Sequence, residues 1–375
     1  MFNDALAFCR ENYWNGNKFV GYKEWAKSLT ESKNTEERKW LKEVSSIPLQ
    51  QSLQDLKTAY KNFFDSCKGE RKGKKVKPPK FKKRRSKQSA RFTRNGFKIN
   101  QHTVTLPKIG DLKVVWSREL PSDPSSVTVT KDSANRYFLS FVCEVKRNPL
   151  PQNDQSVGVD LGIADFATLS TGEKIKSPKP LKRNLRKLRR LQRNLSKKQK
   201  GSNRRERARL KVAKVHAKIA DVRTDFLHKL AYRLIQENQL ISLEDLNVSG
   251  MVKNHCLARA ISDLGWRSFR TMLEAKGGMY ERDVRIIHRW EPTTQKCSCC
   301  GFRGGKKELD VRESTCLNCG AVHDRDINAS KNILKVAGGQ SETQNGCRRE
   351  CETVVSTAVP SEASTHREFK QLSLF

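Results

Sequence analysis

Near its C-terminal end the chain reads Cys297-Ser298-Cys299-Cys300-Gly301, then Cys316-Leu317-Asn318-Cys319-Gly320, then His323-Asp324-Arg325-Asp326-Ile327-Asn328-Ala329. Each Cys-x2-Cys-Gly run makes a tight knuckle whose two thiolates point at one ion. Two knuckles, with fifteen residues between Cys300 and Cys316, supply the four soft ligands of a closed tetrahedral zinc site. Cys297, Cys300, Cys316 and Cys319 are the expected ligands. Cys299 has the wrong spacing to Cys300, His323 is an inferior fourth ligand, and the plain alternative is a set of spare thiols. A closed site leaves no open position for chemistry, so the zinc shapes the protein and the acids beside it are the catalytic candidates.

Working outward, the strongest global feature is charge. The 375 residues carry 75 Lys and Arg against 40 Asp and Glu, a formal net charge of +35. That excess points to a polyanionic partner. No apolar run is long enough to span a bilayer, so no membrane role is expected. Eleven cysteines, an odd number with four in a zinc pattern, argue against a secreted disulfide framework. A cytoplasmic nucleic-acid-binding protein of two or three domains is expected.

Residues 1–66 read as a helical unit, with Leu53, Leu56, Tyr60 and Phe63-Phe64 at helical spacing and Trp25, Trp40 and Leu41 as further core anchors. Residues 68–98 then crowd Lys72, Lys74, Lys75, Lys77, Lys80, Lys82, Lys83, Arg84, Arg85 and Lys87 around Pro78-Pro79, with Phe81, Phe92 and Phe97 interleaved. Basic residues track phosphates while aromatic faces stack on bases; alternatively the phenylalanines belong to neighbouring strands. Residues 97–146 read as short β-strands, ending in the alternating Tyr137-Leu139-Phe141-Cys143-Val145, and a small antiparallel barrel fits them.

Ser156-Val157-Gly158-Val159-Asp160-Leu161-Gly162 reads as a buried strand with an acid near its end, and a hairpin around Thr171-Gly172 follows. Residues 181–238 read as an antiparallel helical hairpin broken at Gly201-Ser202-Asn203. Between 181 and 220 stand seventeen Lys or Arg and one acid, Glu206. Such a face, including Arg183, Arg186, Arg190 and Arg193, suits phosphates. Leu240 to Leu246 is a second buried strand, carrying Glu244. A helix around Ile261–Met279 and a strand at Val284–His288 lead to the knuckles, and 338–375 reads as a disordered tail.

Three acids stand out: Asp160, Glu244 and Asp326, with Asp245 and Asp324 as rivals to the last two. Carboxylates converging in so basic a protein could hold two magnesium or manganese ions that activate water against a phosphodiester. A strand with an acid, a hairpin, a second acidic strand and a late acidic helix describe an RNase-H-like nuclease core.

These motifs resemble the TnpB family. The likeness rests on Val159-Asp160-Leu161-Gly162, Leu243-Glu244-Asp245-Leu246, the double Cys-x2-Cys-Gly and Asp324-Arg325-Asp326-Ile327-Asn328-Ala329. It extends to Ala59-Tyr60-Lys61-Asn62-Phe63-Phe64, Pro79-Lys80-Phe81-Lys82 and Leu106-Pro107-Lys108-Ile109-Gly110, and so covers roughly residues 40–335. TnpB proteins are OrfB-type insertion-sequence proteins related to type V CRISPR effector nucleases. The resemblance implies a multidomain α/β chain: a helical recognition lobe (1–66), a basic linker and wedge β-barrel (67–150), a RuvC-like nuclease (151–290), an inserted zinc ribbon (291–322) and a final RuvC helix (323–337). It also implies a guide RNA and a double-stranded DNA target as partners, with no small-molecule cofactor. By motif, Asp160, Glu244 and Asp326 would hold the catalytic metals. Lys80, Lys82, Lys83, Arg84, Arg85 and the four arginines above would contact nucleic acid. Family members usually begin with an extra strand and helix before the segment that Met1-Phe2-Asn3-Asp4-Ala5-Leu6 resembles, so an incomplete wedge domain and helical lobe are expected. Two other functions compete: a guided DNA-binding regulator that no longer cuts, and a transposase that joins strands as well as cutting them.

Overall fold

The computed structural model describes residues 1–83, 88–146, 149–306, 308 and 311–339. Arg84 and Arg85, and all of the expected 338–375 tail beyond Gly339, with its Cys347 and Cys351, lie outside them; residues 338 and 339 belong to the last helix. The chain divides into two compact units, one ending at Val145 and one starting at Lys146.

In the first unit, helices α1 (Phe2–Trp14), α2 (Tyr22–Ser32) and α3 (Ser46–Cys67) bury Leu6, Cys9, Trp25, Leu29, Leu53 and Leu56 together. Leu41 is buried as expected, but Trp40 is 57% exposed. Both lie on a 3-10 turn, Glu36–Lys42, where adjacent side chains point apart, so only one can face inward. Six strands follow: β1 (Gln88–Thr93), β2 (Lys98–Ile99), β3 (Thr103–Leu106), β4 (Gly110–Lys113), β5 (Ser126–Lys131) and β6 (Tyr137–Val142). They form two three-stranded antiparallel sheets, β1-β5-β6 and β2-β3-β4, over one core of Phe92, Val104, Leu106, Val127, Phe141 and Cys143. Strand β1 was hidden by the basic composition around it. Phe92 is 1% exposed and Phe97 packs against the same core, so these two rings belong to the sheets and are not free to stack on bases. Phe81 is 45% exposed, under the Arg10 guanidinium 4.6 Å away.

The second unit is built on a mixed sheet. Its strands are β7 (Ser156–Asp160), β8 (Ala167–Leu169), β9 (Lys174–Ile175), β10 (Leu240–Glu244) and β11 (Asp283–Ile287), in the order β11-β10-β7-β8-β9. Strands β7, β10 and β11 run parallel, and β8 and β9 return antiparallel through the hairpin at Gly172. Its helices are α4 (Pro180–Ser196), α5 (Asn203–Glu237), α6 (Val248–Met251), α7 (Ala258–Leu264), α8 (Trp266–Tyr280) and α9 (Arg325–Gly339). The single helix expected over 261–279 is two, because Gly265 takes φ +75, a left-handed turn that glycine adopts without penalty.

Strand periodicity decides which helix covers which face. Val157, Val159, Ile241 and Leu243 point into the core with Leu227, Leu230 and Leu234 of α5 and Phe269 and Leu273 of α8. The alternate residues Gly158, Asp160, Ser242, Glu244 and Ile287 therefore face the other side, where α9 packs with Ile333 and Ala337. At Gly158 the helix lies directly on the strand: a Cβ there would sit 2.0 Å from the Ser330 carbonyl oxygen. Gly158→Ala should therefore push α9 off the sheet, costing about 1–3 kcal/mol or more. A urea titration should show a lower midpoint with an unchanged slope; an unchanged midpoint would mean that α9 does not lie where the structure has it.

Candidate active site and metal centre

Parallel pairing of Leu243 with Val159 carries Asp160 and Glu244 to the C-terminal ends of strands that lie about 4.8 Å apart. Both are on the α9 face, and Asp326 is in the first turn of α9. The electrostatics register this convergence. Burial, then the charges of Asp326 and Glu244, push the Asp160 carboxyl up to about 7 against a smaller opposing pull from Arg325. Glu244 is also raised, by burial and then by Asp245. Asp160 thus feels the charges of both other acids, but the three carboxylates do not close to within 4.8 Å of one another as the four thiol sulfurs do.

The two rival acids have other duties. Asp245 Oδ1 accepts from Arg270 at 2.6 Å and Oδ2 accepts from Arg289 Nε at 3.0 Å and from its Nη2. These hydrogen bonds, Arg289 first, hold its carboxyl below the usual range. Asp324 Oδ1 caps α9, accepting from the N–H groups of Asp326 and Ile327 at 3.0 Å each, and its other oxygen meets Lys174 at 2.6 Å. Burial pushes Asp324 up, but Lys174 and the helix N–H groups outweigh it and leave the carboxyl lowered. An acid held by a close cation is a poor place for a metal; Asp326 also meets a cation, Arg312 Nη1, but at the longer distance of 3.4 Å. No sequence pattern singled out Arg270, Arg289 or Lys174, because each meets its acid only through the tertiary fold.

The thiols form a second cluster. One sulfur from each of Cys297, Cys300, Cys316 and Cys319 lies within 4.8 Å of the others, with Cys297 to Cys319 at 3.7 Å and Cys300 to Cys316 at 3.6 Å. Four thiolates about 2.3 Å from one tetrahedral ion stand about 3.8 Å apart, so the cluster fits a metal such as zinc. Strands β12 (Glu313–Thr315) and β13 (Val322–Asp324) pair as the arms of the second knuckle, so the hairpin ends at Asp324 and the final helix starts two residues later than expected. Cys299 and His323 do form an alternative group with Cys297. Metal analysis should find about one zinc per chain, and Cys316→Ser should lose it along with several degrees of melting temperature. Folded, active protein without zinc would refute this.

Two basic surfaces were expected. On α4, Leu181, Leu188 and Leu191 pack on Val212, Val215 and Ile219 of α5. Arg183, Arg186, Arg190 and Arg193 are exposed and, at 100° per residue, form a stripe about opposite that seam. Among the described residues none of the four meets a carboxylate. The hairpin is anchored by a residue that pattern reading missed: Asp263 of α7, 5% exposed. Its carboxylate accepts from the N–H groups of Leu181 and Lys182 and from Arg223 at 3.0–3.1 Å, capping α4 from outside. An aspartate within a helical stretch reads as surface, so nothing in the sequence marked it. In the first unit Lys80 and Lys83 are exposed. Lys82 is exposed too but held, with Nζ 3.8 Å from Asp55 and 4.2 Å from the Phe2 ring.

Comparison with known proteins fits these features. Residues 140–255 match a family described as "Probable transposase" (OrfB of the IS605 type), and residues 266–333 match one described as "Cas12f1-like, TNB domain". A Streptomyces pristinaespiralis protein named "Putative RNA-guided DNA endonuclease" is 45% identical over 94% of this chain and 87% of its own length. The Escherichia coli protein named "Putative RNA-guided DNA endonuclease InsQ" is 35% identical over 89% of this chain and 85% of its own. A mimivirus "TnpB-like protein L79" is 28% identical over 60% of this chain and 45% of its own. No helix among the described residues is long and apolar enough to cross a membrane. With that identity over nearly its whole length, the chain belongs to the TnpB-like family of OrfB-type transposon proteins.

Proposed function

We propose that this chain is an RNA-guided DNA endonuclease whose sheet-centred unit is a RuvC-like nuclease. The observation that carries the reading is Asp160 at the end of β7, raised to about 7 by burial and then by the charges of Asp326 and Glu244, in a protein of net charge +35. A buried carboxylate that feels other carboxylates, as Asp160 does, resists ionisation unless a cation joins it. Their hard oxygen donors suit magnesium or manganese. Such ions, when bound, supply an activated water and charge stabilisation for phosphodiester hydrolysis.

The chain's own residues fall into roles around that centre. Asp160 and Glu244 offer ligands from rigid strand ends and Asp326 from a helix start, while Asp324 and Asp245 hold their surroundings in place. The arginine stripe of α4, and Lys80, Lys82 and Lys83 with Arg84 and Arg85, would grip guide RNA and target DNA through their phosphates. The helical part, 1–66, and the two-sheet part, 67–150, take the places of recognition lobe and wedge domain. The family's named nucleases support the same reading.

The rival acids give the test. Asp326→Ala should lose cleavage while Asp324→Ala, which removes a helix cap, should cost about 0.5–2 kcal/mol of stability and retain cutting at low temperature. Measured on one plasmid target, the reverse pattern would reassign the metal site to Asp324.

A further inference from the structure

Helix α9 carries Asp326 at its start and two buried asparagines one turn apart, Asn328 and Asn332, 2% and 6% exposed. Both are spent on the backbone of the first zinc knuckle. Asn328 Oδ1 accepts from the Ser298 N–H at 2.8 Å, and its Nδ2 donates to the Lys296 carbonyl at 2.7 Å. Asn332 Nδ2 donates to the Thr293 and Lys296 carbonyls at 2.7 Å each, and Lys335 donates to the Ser298 carbonyl. Thus the backbone on both sides of Cys297 is fixed to the helix. The second knuckle reaches the same helix covalently, because β13 ends at Asp324 and α9 begins at Arg325.

These links form a ring. From α9 the asparagines lead to Cys297 and Cys300; from there an ion would lead to Cys316 and Cys319, and β13 leads back to α9. Without an ion the ring is open at the thiols, and the start of α9 loses one of its restraints. Asp326 is the acid of the carboxylate cluster that sits on this ring; Asp160 and Glu244 are held by the sheet.

We propose that Asn328 and Asn332 are positioning residues that link the thiolate centre to the carboxylate centre, so that zinc and the divalent ion bind cooperatively. This rests on the reading of Asp160, Glu244 and Asp326 as a metal site. Linkage requires reciprocity: whatever zinc does to divalent-ion affinity, the divalent ion does to zinc affinity.

Manganese titration of the full chain, followed by the spin-resonance signal of free manganese, tests it. Zinc-loaded protein should bind manganese about 5- to 100-fold more tightly than protein depleted by a zinc-selective chelator. Asn328→Ala and Asn332→Ala should still take up cobalt with its thiolate charge-transfer bands. Their manganese affinity should be weaker and less sensitive to zinc, with Asn332→Ala the milder because Asn328 keeps its bonds. Equal manganese affinity with and without zinc in the unaltered protein would overturn the proposal, and that arm needs no variant to fold. Loss of the cobalt bands in both variants would overturn it too, since the asparagines would then build the thiolate site instead of linking two sites. Zinc-loaded protein that binds no manganese at all would sink the underlying reading of the acids, a result distinct from the other two.

Discussion

Asp160→Ala and Glu244→Ala should each reduce DNA cleavage by about three orders of magnitude or more while guided target binding survives. Both side chains stand at strand ends on the α9 face, remote from the core shared by α5 and α8, so truncation removes a ligand without opening that core. Asp160→Asn adds a thermodynamic signature. A carboxyl raised to about 7 binds its proton more tightly in the folded chain than in the unfolded one. Its contribution therefore favours folding at acid pH and is lost as pH rises from about 4 through about 7. In metal-free protein the Asn variant should escape that loss and melt above wild type at pH 8, by roughly 2–4 °C per kcal/mol, with the gap closing towards pH 4. Magnesium or manganese should raise the wild-type melting temperature at pH 8 and do little for the variant. Full cleavage by both alanine variants would end the metal assignment, and a wild-type melting temperature blind to pH between 4 and 8 would end the crowding argument.

Sequence-specific cutting should vanish when copurifying RNA is removed and return, redirected, with a reprogrammed guide. The chain offers a strong excess of positive charge and an arginine stripe on α4 that meets no carboxylate among the described residues, which suit a phosphate backbone but do not read a long sequence of bases. Base pairing by a guide supplies that information, leaving the protein to hold the backbone and a short flanking motif. Binding should then fall steeply with salt, by about a thousandfold or more between 50 and 200 mM if six or more phosphates are neutralised. Converting Arg183, Arg186, Arg190 and Arg193 to Gln together should flatten that slope. RNA-free protein that cuts or joins a fixed DNA sequence at full rate would favour a transposase. Guided binding with no cutting at any magnesium or manganese concentration would favour a regulator.

Periodicity and ligand spacing made much of this chain legible. Glycine after each Cys-x2-Cys forces a knuckle, so four thiols at that spacing announce their cluster before any fold is known. Leucines at three- and four-residue steps drew the α4–α5 hairpin, and short apolar runs drew β7 and β10 with their acids at the ends. The misses have separate causes. Strand β1 escaped because its inward Phe92 lies among lysines and arginines, and composition there reflects the outer face alone. Trp40 looked like core because hydrophobicity does not say which of two neighbours on a tight turn faces inward. Gly265 divided a helix whose apolar spacing runs through it.

What only the tertiary structure decided was which partners each acid meets. Glu244 and Asp245 are neighbours of like charge, as are Asp324 and Asp326 two residues apart, and sequence alone cannot rank either pair. Their difference lies in their partners: Arg270 and Arg289 close on Asp245 and Lys174 on Asp324 from distant segments, Asp324 also caps α9, and Asp326 meets Arg312 at the longer distance of 3.4 Å. Burial with like charges leaves Asp160 and Glu244 raised. A local pattern fixes which face a side chain is on, since backbone geometry sets that within a few residues. A carboxylate's charge state depends on groups within a few ångströms, whatever their separation along the chain, and those neighbours exist only once the sheet and α9 have come together.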